Sequence, residues 1–318
     1  MNLTRRTIFA AALLSAASFP ALAAKPLVIG FSHVGAESEW RSANTRSIKE
    51  AAAQQHITLR FADAQQRQEN QVKAIRSFIA QRVDIIAFSP VVESGWETVL
   101  REAKAAKIPV ILTDRAVNVT DPSLYATFIG SDFVEEGRRA ARWLVERSAK
   151  SPGKTFNIVE LQGTVGSAPA LDRKKGFEEV IAGKPNLKIT RSQSGDFTRT
   201  KGKEVMEAFL KAHGKAINVL FAHNDDMAIG AIQAIEEAGL KPGVDILVIS
   251  IDGVKGAFQA MAAGKLNVTV ECNPLLGPQL MAAAQAVAAG KPVAKRITVL
   301  EAVFPAETAA RELPNRKY

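Results

Sequence analysis

Short apolar runs alternate with longer amphipathic stretches along almost the whole chain. The predicted strands are the runs at 27–31, 57–61, 83–88, 110–113, 125–129, 156–161, 188–191, 219–222, 246–251 and 268–270. Between most of them, apolar residues recur at helical spacing and predict a helix. Uninterrupted runs of Val, Ile and Leu are typical of parallel strands that are covered on both faces.

The alternating pattern starts afresh after a predicted helix that ends near residue 148. A chain of 318 residues is long enough to form two domains of ordinary size. Two successive series of strands and helices predict an α/β fold with two Rossmann-like lobes, each built on a parallel sheet. Because no Pro-rich or low-complexity stretch separates the two series, we expect short and multiple connections between the lobes.

The first 24 residues have the pattern of a secretory signal. They contain Arg5 and Arg6, an apolar stretch at 8–17, and the small-residue sequence Ala21-Leu22-Ala23. The apolar stretch is shorter than the ~20 residues that a membrane-spanning helix needs. The arginine pair also fits a twin-arginine signal, so the general secretory route and the twin-arginine route both stay open.

Charge and cysteine content exclude some partners and bonds. The formal net charge is +9, with 41 basic and 32 acidic residues. A basic surplus can attract nucleic acid, but here the basic residues are dispersed among acidic ones, and we expect no nucleic-acid partner. Cys272 is the only cysteine, so no internal disulfide can form, and we expect its side chain to be buried.

Polar and aromatic residues cluster where the predicted strands end. In open α/β sheets, ligands bind beyond the carboxyl ends of the strands. The candidate ligand-binding residues at or beyond these ends are Glu37, Ser38, Glu39, Trp40, Arg41, Asp114, Arg115, Arg173, Phe197, Asn224, Asp252 and Glu271. Because they all follow strands in the same direction, we expect them to share one site.

The chemistry of this set favours a polyhydroxylated ligand. Carboxylates and guanidinium groups can each engage two vicinal hydroxyls, while an aromatic face can cover the C–H side of a sugar ring. A phosphate ligand is disfavoured, because neither a GxxxxGK[ST] nor a GxGxxG motif occurs.

Each candidate also has a purely structural interpretation. Trp40 could pack in the core, and Phe197 could pack against the helix that follows it. Asn224 could cap a helix N-terminus, and Asp114 could form a surface ion pair with Arg115. The coincidence of these residues at strand ends favours the binding interpretation.

Catalytic and metal-site patterns do not support an enzyme. No GxSxG nucleophile elbow occurs, and the four histidines show no HExxH or other metal-ligand spacing. Acidic pairs such as Glu37 with Glu39 do not by themselves indicate a glycosidase. We therefore expect no catalytic residue, no metal and no cofactor.

Several motifs resemble those of one protein family, the periplasmic sugar-binding proteins of ABC importers. They are "PLVIGFS", "IPVILTDRA", "ALDRKKGFEE", "SQSGDFTRTKGKEVMEAF", "FAHNDDMAIGAIQAIEEAGLKPG" and "ISIDG". The resemblance covers residues 26 to about 276 and implies a periplasmic, monomeric, non-enzymatic receptor that delivers one monosaccharide to a membrane permease. The longer motifs "VGAESEWRSANTRSIKEAA" and "VELQGTVGSAPALDRKKGF" imply galactofuranose as the first candidate sugar.

The resemblance also implies a type I periplasmic binding protein fold with three hinge crossings, near Gly130, Glu271 and Ile297. The N-terminal lobe would comprise residues 25–130 and 272–297, and the C-terminal lobe residues 131–271 and 298–318. Most of the candidate set matches the family's sugar contacts, with Trp40 and Phe197 as aromatic stackers. Glu271 stands where ribose binders use Gln, and Glu39 stands where a small residue is usual.

Other functions stay open from the sequence. The sugar could be ribose, arabinose or galactose, and the receptor could serve a chemoreceptor or a sensor kinase. Sugar-responsive repressors share the fold, but they need an N-terminal helix-turn-helix of ~50–60 residues, and the predicted signal occupies that end. A carbohydrate hydrolase would need a catalytic motif that the sequence lacks.

Overall fold

The structure is a computed structural model that describes residues 26–318. The predicted export signal at 1–24 lies outside these residues. Within the described range, no helix combines the length and the apolar character needed to cross a lipid bilayer.

The chain forms strands and helices in near-regular alternation. The strands are β1 (Val28–His33), β2 (Thr58–Asp63), β3 (Ile85–Phe88), β4 (Val110–Thr113), β5 (Thr127–Gly130), β6 (Phe156–Gln162), β7 (Leu187–Ser194), β8 (Val219–Ala222), β9 (Leu247–Asp252), β10 (Val268–Glu271), β11 (Arg296–Thr298) and β12 (Val303–Pro305). The helices are α1 (Glu39–Gln54), α2 (Gln68–Ala80), α3 (Glu97–Ala105), α4 (Phe133–Ala149), α5 (Ala168–Ile181), α6 (Arg199–His213), α7 (Asp225–Glu237), α8 (Lys255–Ala262), α9 (Gly277–Ala288) and α10 (Ala309–Glu312).

The strands assemble into two six-stranded sheets with the same internal order. The first sheet runs β2-β1-β3-β4-β5-β11, and the second runs β7-β6-β8-β9-β10-β12. All pairs are parallel except β10 with β12. The predicted α/β fold with two Rossmann-like lobes is confirmed. The one antiparallel pair lies at the edge of the second sheet, where β12 joins β10.

The N-terminal lobe has apolar cores on both faces of its sheet. Alternate residues of a strand point to opposite faces. Ile29 and Ile85 therefore pack with Leu280 of α9 on one face, while Ile86 packs with Phe78 of α2 on the other. This double coverage explains why the strand sequences are continuously apolar.

The C-terminal lobe is held by one large apolar cluster and by close helix contacts. Phe177 and Phe221 stack with ring centroids 4.0 Å apart. Helices α4 and α5 meet at Gly137 and Gly176, where an added Cβ would lie 2.1 Å from Arg173 O and 1.9 Å from Val134 O respectively. Glycine at both positions lets the two helix backbones touch, and this contact sets the distance between their side chains.

The chain crosses between the lobes three times. It leaves the first sheet at Gly130, leaves the second sheet at Glu271, and returns from β11 to β12 after Thr298. The three predicted crossings near Gly130, Glu271 and Ile297 agree with this path. The exact lobe boundaries stay a prediction, and β11 extends to Thr298, just past the predicted boundary at 297.

Candidate functional site

A cavity of about 290 Å³ lies between the two lobes. The predicted residues that line it are Glu37, Ser38, Trp40, Arg41, Asp114, Arg115, Arg173, Phe197, Asn224 and Asp252. Pro169 and Cys272, which the sequence did not single out, line it too. Side chains from both lobes therefore share one cavity.

The N-terminal wall of the cavity is an ion-pair network formed by Glu37, Arg41, Asp114 and Arg115. Arg41 donates from Nε to Glu37 Oε1 over 2.9 Å and from Nη1 to Asp114 Oδ2 over 2.7 Å. Ser89 donates its hydroxyl to the same Asp114 oxygen over 2.8 Å. Helix α1 begins at this wall, because the Ser38 side chain accepts from the Arg41 N–H and caps the helix.

Two buried polar atoms of the N-terminal wall have no hydrogen-bond partner in the protein. They are Glu37 Oε2 and Arg115 Nε. Buried polar groups are nearly always paired, so unpaired ones beside a cavity call for a partner within it. One atom is an acceptor and the other a donor, which matches the dual character of a sugar hydroxyl.

Opposite charges keep the N-terminal wall ionised. Burial by itself raises the pKa of Asp114, but the guanidinium groups of Arg41 and Arg115 outweigh it and hold the pKa below its ordinary value. Burial and the charge of Arg41 lower the pKa of Arg115 to about 10. Asp114 is therefore ionised at neutral pH and lies beside two cations.

The C-terminal wall consists of Arg173, Phe197, Asn224 and Asp252. Arg173 on α5 donates from Nε to Glu136 Oε2 on α4 over 2.7 Å, and its Nη2 lies 3.6 Å from Asp252 Oδ1. The close contact of α4 with α5 places this guanidinium, which is buried rather than solvated. Asp252 ends β9, so its carboxyl group points out from the edge of the second sheet.

Acids exceed cations around Arg173. Burial raises the pKa of Asp252 well above its ordinary value; Arg173 opposes this rise, and the nearby Asp225 carboxyl adds to it. Burial also raises the pKa of Glu136, although the same guanidinium acts against the change. Two carboxyl groups thus share one nearby guanidinium, and the protonated form is favoured here far more than in the N-terminal wall.

Asn224 serves as a helix cap and still faces the cavity. Its side-chain oxygen accepts from the Met227 N–H over 3.0 Å, and its Nδ2 donates to Phe197 O over 3.1 Å. The structural interpretation of Asn224 is therefore correct. An amide nitrogen carries two hydrogens, so one N–H remains for a ligand.

Two aromatic side chains close the cavity. Trp40 donates its indole N–H to Cys272 O over 2.6 Å, which fixes the ring against the second hinge crossing. The Phe197 ring has the guanidinium carbon of Arg115 5.3 Å from its centroid. Gly163 makes room for this ring, because a Cβ at Gly163 would lie 1.8 Å from Phe197 Cζ.

Three residues that line the cavity have a left-handed backbone. Asp114, Phe197 and Asp252 have φ values of 62°, 61° and 131°. Left-handed backbone is uncommon for residues other than glycine and tends to cluster at functional sites. The strained turn at Asp252 is held by Asp225, whose Oδ2 accepts from the N–H groups of Gly253 and Val254.

Glu39 and Glu271 do not line the cavity, although the sequence placed them with the other candidates. Glu39 faces the rim between the lobes. Its N–H donates to Asp226 Oδ2 over 2.8 Å, and its Oε2 lies 3.8 Å from Arg199 Nη2. Adjacent positions on a helix point in different directions, so Trp40 faces inward while Glu39 turns away.

The Glu271 carboxylate accepts hydrogen bonds from a later segment of the chain and does not face the cavity. Its Oε1 accepts from the Tyr318 hydroxyl over 2.7 Å and from Arg316 Nη1 over 3.3 Å. Arg316 also donates to Gly253 O over 2.6 Å. Glu271 therefore anchors residues 316–318 beside the turn that carries Asp252.

Two further residues that hold the cavity walls were missed from the sequence. Ser89 directly follows β3, so the rule that polar residues matter at strand ends could have found it. Glu136 lies inside α4, and only the packing of α4 against α5 brings it to Arg173. No local sequence signal marks Glu136 as part of the site.

Comparisons with known proteins agree with this geometry. Residues 29–292 match the family described as the periplasmic binding protein domain. The galactofuranose-binding protein YtfQ of Escherichia coli strain K12 is 52% identical over 316 residues, which is 98% of each chain.

Two solved structures share both fold and sequence with the chain. A Mycobacterium smegmatis protein in complex with β-D-fucofuranose is 56% identical, with a TM-score of 0.90 over 92% of this chain and 95% of that one. A Shewanella protein, the periplasmic component of an arabinose ABC transporter, is bound to α- and β-L-arabinofuranose. It is 54% identical, with a TM-score of 0.88 over 91% of this chain and 95% of that one.

Proposed function

Because this chain belongs to the periplasmic binding protein family, we propose that it captures one monosaccharide between its lobes and releases it to an ABC permease. The sugar class we propose is the five-membered furanose ring, with galactofuranose as the first candidate. The relatives described above support this choice, since their bound or named sugars are all furanoses. These sugars differ mainly in the carbon atoms attached outside the ring, so the furanose ring is the feature they share.

One observation carries the proposal. The cavity between the lobes is lined by carboxylate, guanidinium, amide and aromatic groups from both sheets, and Glu37 Oε2 and Arg115 Nε are buried there without protein partners. A monosaccharide supplies closely spaced hydroxyls, each a donor and an acceptor. Such a ligand can hydrogen-bond the two unpaired atoms of the N-terminal wall and also reach Arg173 and Asp252 in the C-terminal wall.

The residues divide the recognition between them. In our proposal Asp114, Arg115, Arg173, Asn224 and Asp252 hydrogen-bond the hydroxyls. Trp40 and Phe197 cover the two faces of the ring through their apolar rings. Glu37, Ser38 and Arg41 hold the N-terminal wall in shape and complete the polar lining.

Binding is coupled to closure of the lobes. The sugar stabilises the closed arrangement, because only that arrangement lets both walls hydrogen-bond it at once. Contacts such as Glu93 N to Gly166 O, at 3.0 Å across the lobes, accompany closure. The permease then recognises the closed shape. We propose that the receptor acts in the periplasm, as a monomer and without catalysing a reaction.

Isothermal titration calorimetry with a panel of sugars tests the proposal. Galactose is titrated as its equilibrium mixture of ring forms, and its affinity is calculated for the furanose form. We expect this form to bind most tightly, followed by arabinose, with ribose and glucose weaker. In a thermal-shift assay, a sugar at 100 times its Kd should add about 2.7 kcal/mol to the free energy of unfolding. A panel in which no sugar binds would contradict the proposal.

The ring form can be tested directly by NMR. Uniformly ¹³C-labelled galactose offered in excess should give a bound anomeric-carbon signal of the furanose form, although the free sugar contains both ring forms. A bound pyranose signal would contradict the furanose assignment while leaving the sugar-receptor function in place. A methyl galactopyranoside, which cannot change its ring, serves as the control and should not bind.

A further inference from the structure

The three hinge crossings meet at one carboxyl group, that of Glu301. Glu301 lies on the third crossing, and its Oε1 accepts from the Asn273 N–H of the second crossing over 3.1 Å. The same oxygen accepts from the hydroxyl of Ser131, which lies on the first crossing. Arg139 of α4 donates to the Glu301 carbonyl oxygen over 2.7 Å. A single side chain thus joins the segments that must move when the lobes open.

A second carboxyl group beside Glu301 lacks a donor. Glu136 is buried, and its Oε1 has no hydrogen-bond partner. The nearest polar atoms of Glu136, Cys272 and Glu301 all lie within 4.8 Å of one another. A buried carboxylate oxygen without a donor is costly. The Cys272 thiol and a protonated Glu301 are the two donors near Glu136. Because the Ser131 hydroxyl hydrogen goes to Glu301 Oε1, the 3.4 Å contact between Cys272 and Ser131 uses the thiol hydrogen, which leaves a proton on Glu301 Oε2 as the donor for Glu136.

Glu136 connects this hinge cluster to the cavity. Its other oxygen, Oε2, accepts from Arg173 Nε, and Arg173 belongs to the C-terminal wall. The orientation of the Arg173 guanidinium therefore depends on Glu136. The orientation of Glu136 depends in turn on whether Glu301 donates a hydrogen bond to it. Hinge geometry and one wall of the cavity are linked through two carboxyl groups.

We propose that Glu301 is a positioning residue for sugar binding, which in the closed form donates a proton to Glu136 Oε1 and thereby orients Arg173. This inference rests on the proposed function. Glu136 and Glu301 both belong to the predicted C-terminal lobe, so they stay together when the lobes open. Ionisation of Glu301 leaves Glu136 Oε1 without its donor and frees Arg173 to turn away from the sugar, so sugar affinity falls once Glu301 loses its proton at high pH.

The electrostatics of the cluster support this assignment. Burial, with the adjacent Glu136 carboxyl, raises the pKa of Glu301 in the closed structure to about 9. The charged or titratable groups around Glu301 come from every element packed against it: Asp132 before α4, Glu135, Glu136 and Arg139 of α4, Arg173 of α5, Cys272 after β10 and Arg296 of β11. Burial also raises the pKa of Cys272 well above its ordinary value, so its thiol does not ionise in the same range.

The test compares the pH dependence of sugar affinity in wild type, Glu301→Gln and Glu301→Ala. In wild type, galactofuranose affinity measured by calorimetry should fall roughly fourfold between pH 7 and pH 9.5, as linkage requires when the sugar binds the form in which Glu301, with a pKa of about 9, is protonated. Glu301→Gln keeps a donor that cannot ionise, so its affinity should be nearly independent of pH in this range. Glu301→Ala should bind more weakly than Glu301→Gln and also lose the pH dependence.

Two control variants separate this role from a general effect on the hinge. Ser131→Ala removes a hydrogen bond to Glu301 but keeps the ionisable group, so the fall with pH should persist. Glu307→Gln removes an exposed carboxyl group of the same lobe and should leave the pH profile as in wild type. A Glu301→Gln protein that retains the wild-type fall would overturn the inference.

A second measurement needs no sugar. In protein labelled with ¹³C-glutamate, the Glu301 carboxyl signal, assigned by its loss in Glu301→Gln, should titrate above pH 8. Titration near the ordinary glutamate pKa of about 4.3 would overturn the inference even if sugars bind. Absence of sugar binding with a high Glu301 pKa would instead overturn the proposed function.

Discussion

Asp114 and Asp252 occupy equivalent places in the two lobes and behave differently. Each stands at the end of the fourth strand of its lobe, β4 for Asp114 and β9 for Asp252, in sheets of identical order. Both are buried at the same cavity, and both have positive φ values. Yet the pKa of Asp114 lies below its ordinary value, while the pKa of Asp252 lies well above it.

The difference comes from the neighbours and not from the fold. Asp114 accepts a 2.7 Å hydrogen bond from Arg41 and has Arg115 next to it. Asp252 has Arg173 at 3.6 Å, and that guanidinium is already held by Glu136. Repeating one topology therefore places two carboxyl groups symmetrically without giving them the same charge, since charge depends on the number of cations nearby.

The largest expected effect is that of Asp114→Asn. The amide keeps the shape and tolerates the left-handed backbone, but it leaves Arg41 and Arg115 without their shared counter-ion. Sugar affinity at pH 7 should fall at least about 30-fold, because removing one partner of a buried charge pair costs about 2–5 kcal/mol. Calorimetry measures the affinity, and a thermal melt shows that the variant is folded. A loss below threefold would remove Asp114 from the site.

Asp252→Asn should have a smaller effect, since the pKa of Asp252 is raised and a neutral amide therefore replaces this carboxyl group at a lower cost than it replaces Asp114. We expect less than about a fivefold loss of affinity at pH 7, the equivalent of roughly 1 kcal/mol for one neutral hydrogen bond. The measurement is the same titration, run side by side with Asp114→Asn. Equal losses in the two variants would show that both aspartates are ionised and would break the comparison.

The smallest expected effect is that of Glu39→Gln, at the rim where the lobes meet. It removes the ion pair with Arg199 but not the backbone hydrogen bond to Asp226. Sugar should dissociate at most about fivefold faster, because half-exposed ion pairs contribute about 0.2–1 kcal/mol. Stopped-flow fluorescence of Trp40 reports the rate, and the effect should shrink at high salt.

A matched control for this variant is Glu97→Gln. Glu97 pairs with Arg101 on the surface of one lobe, at comparable exposure, so its loss should leave the dissociation rate unchanged. If both variants changed the rate equally, the effect would reflect overall charge and not contact between the lobes.

Most of the cavity lining could be predicted because strand ends are visible in the sequence. Asp114, Asn224 and Asp252 lie at or within two residues of the ends of apolar runs, and parallel strands bring such positions to one edge. Glu39 and Glu271 obey the same rule but do not line the cavity. For Glu39 the reason is the rotation between neighbouring helix positions, and for Glu271 it is the segment at 316–318 that binds it.

The sequence by itself determined the strands, the helices and the edge of each sheet at which a ligand could bind. These features follow from local periodicity, which depends on residues close together along the chain. Only the tertiary structure decided which ions pair and whether the pKa of a buried acid is raised or lowered. Arg41 meets Asp114 across 73 residues, and Ser131 meets Glu301 across 170. Such contacts depend on how helices and lobes pack in space, and no local pattern records them.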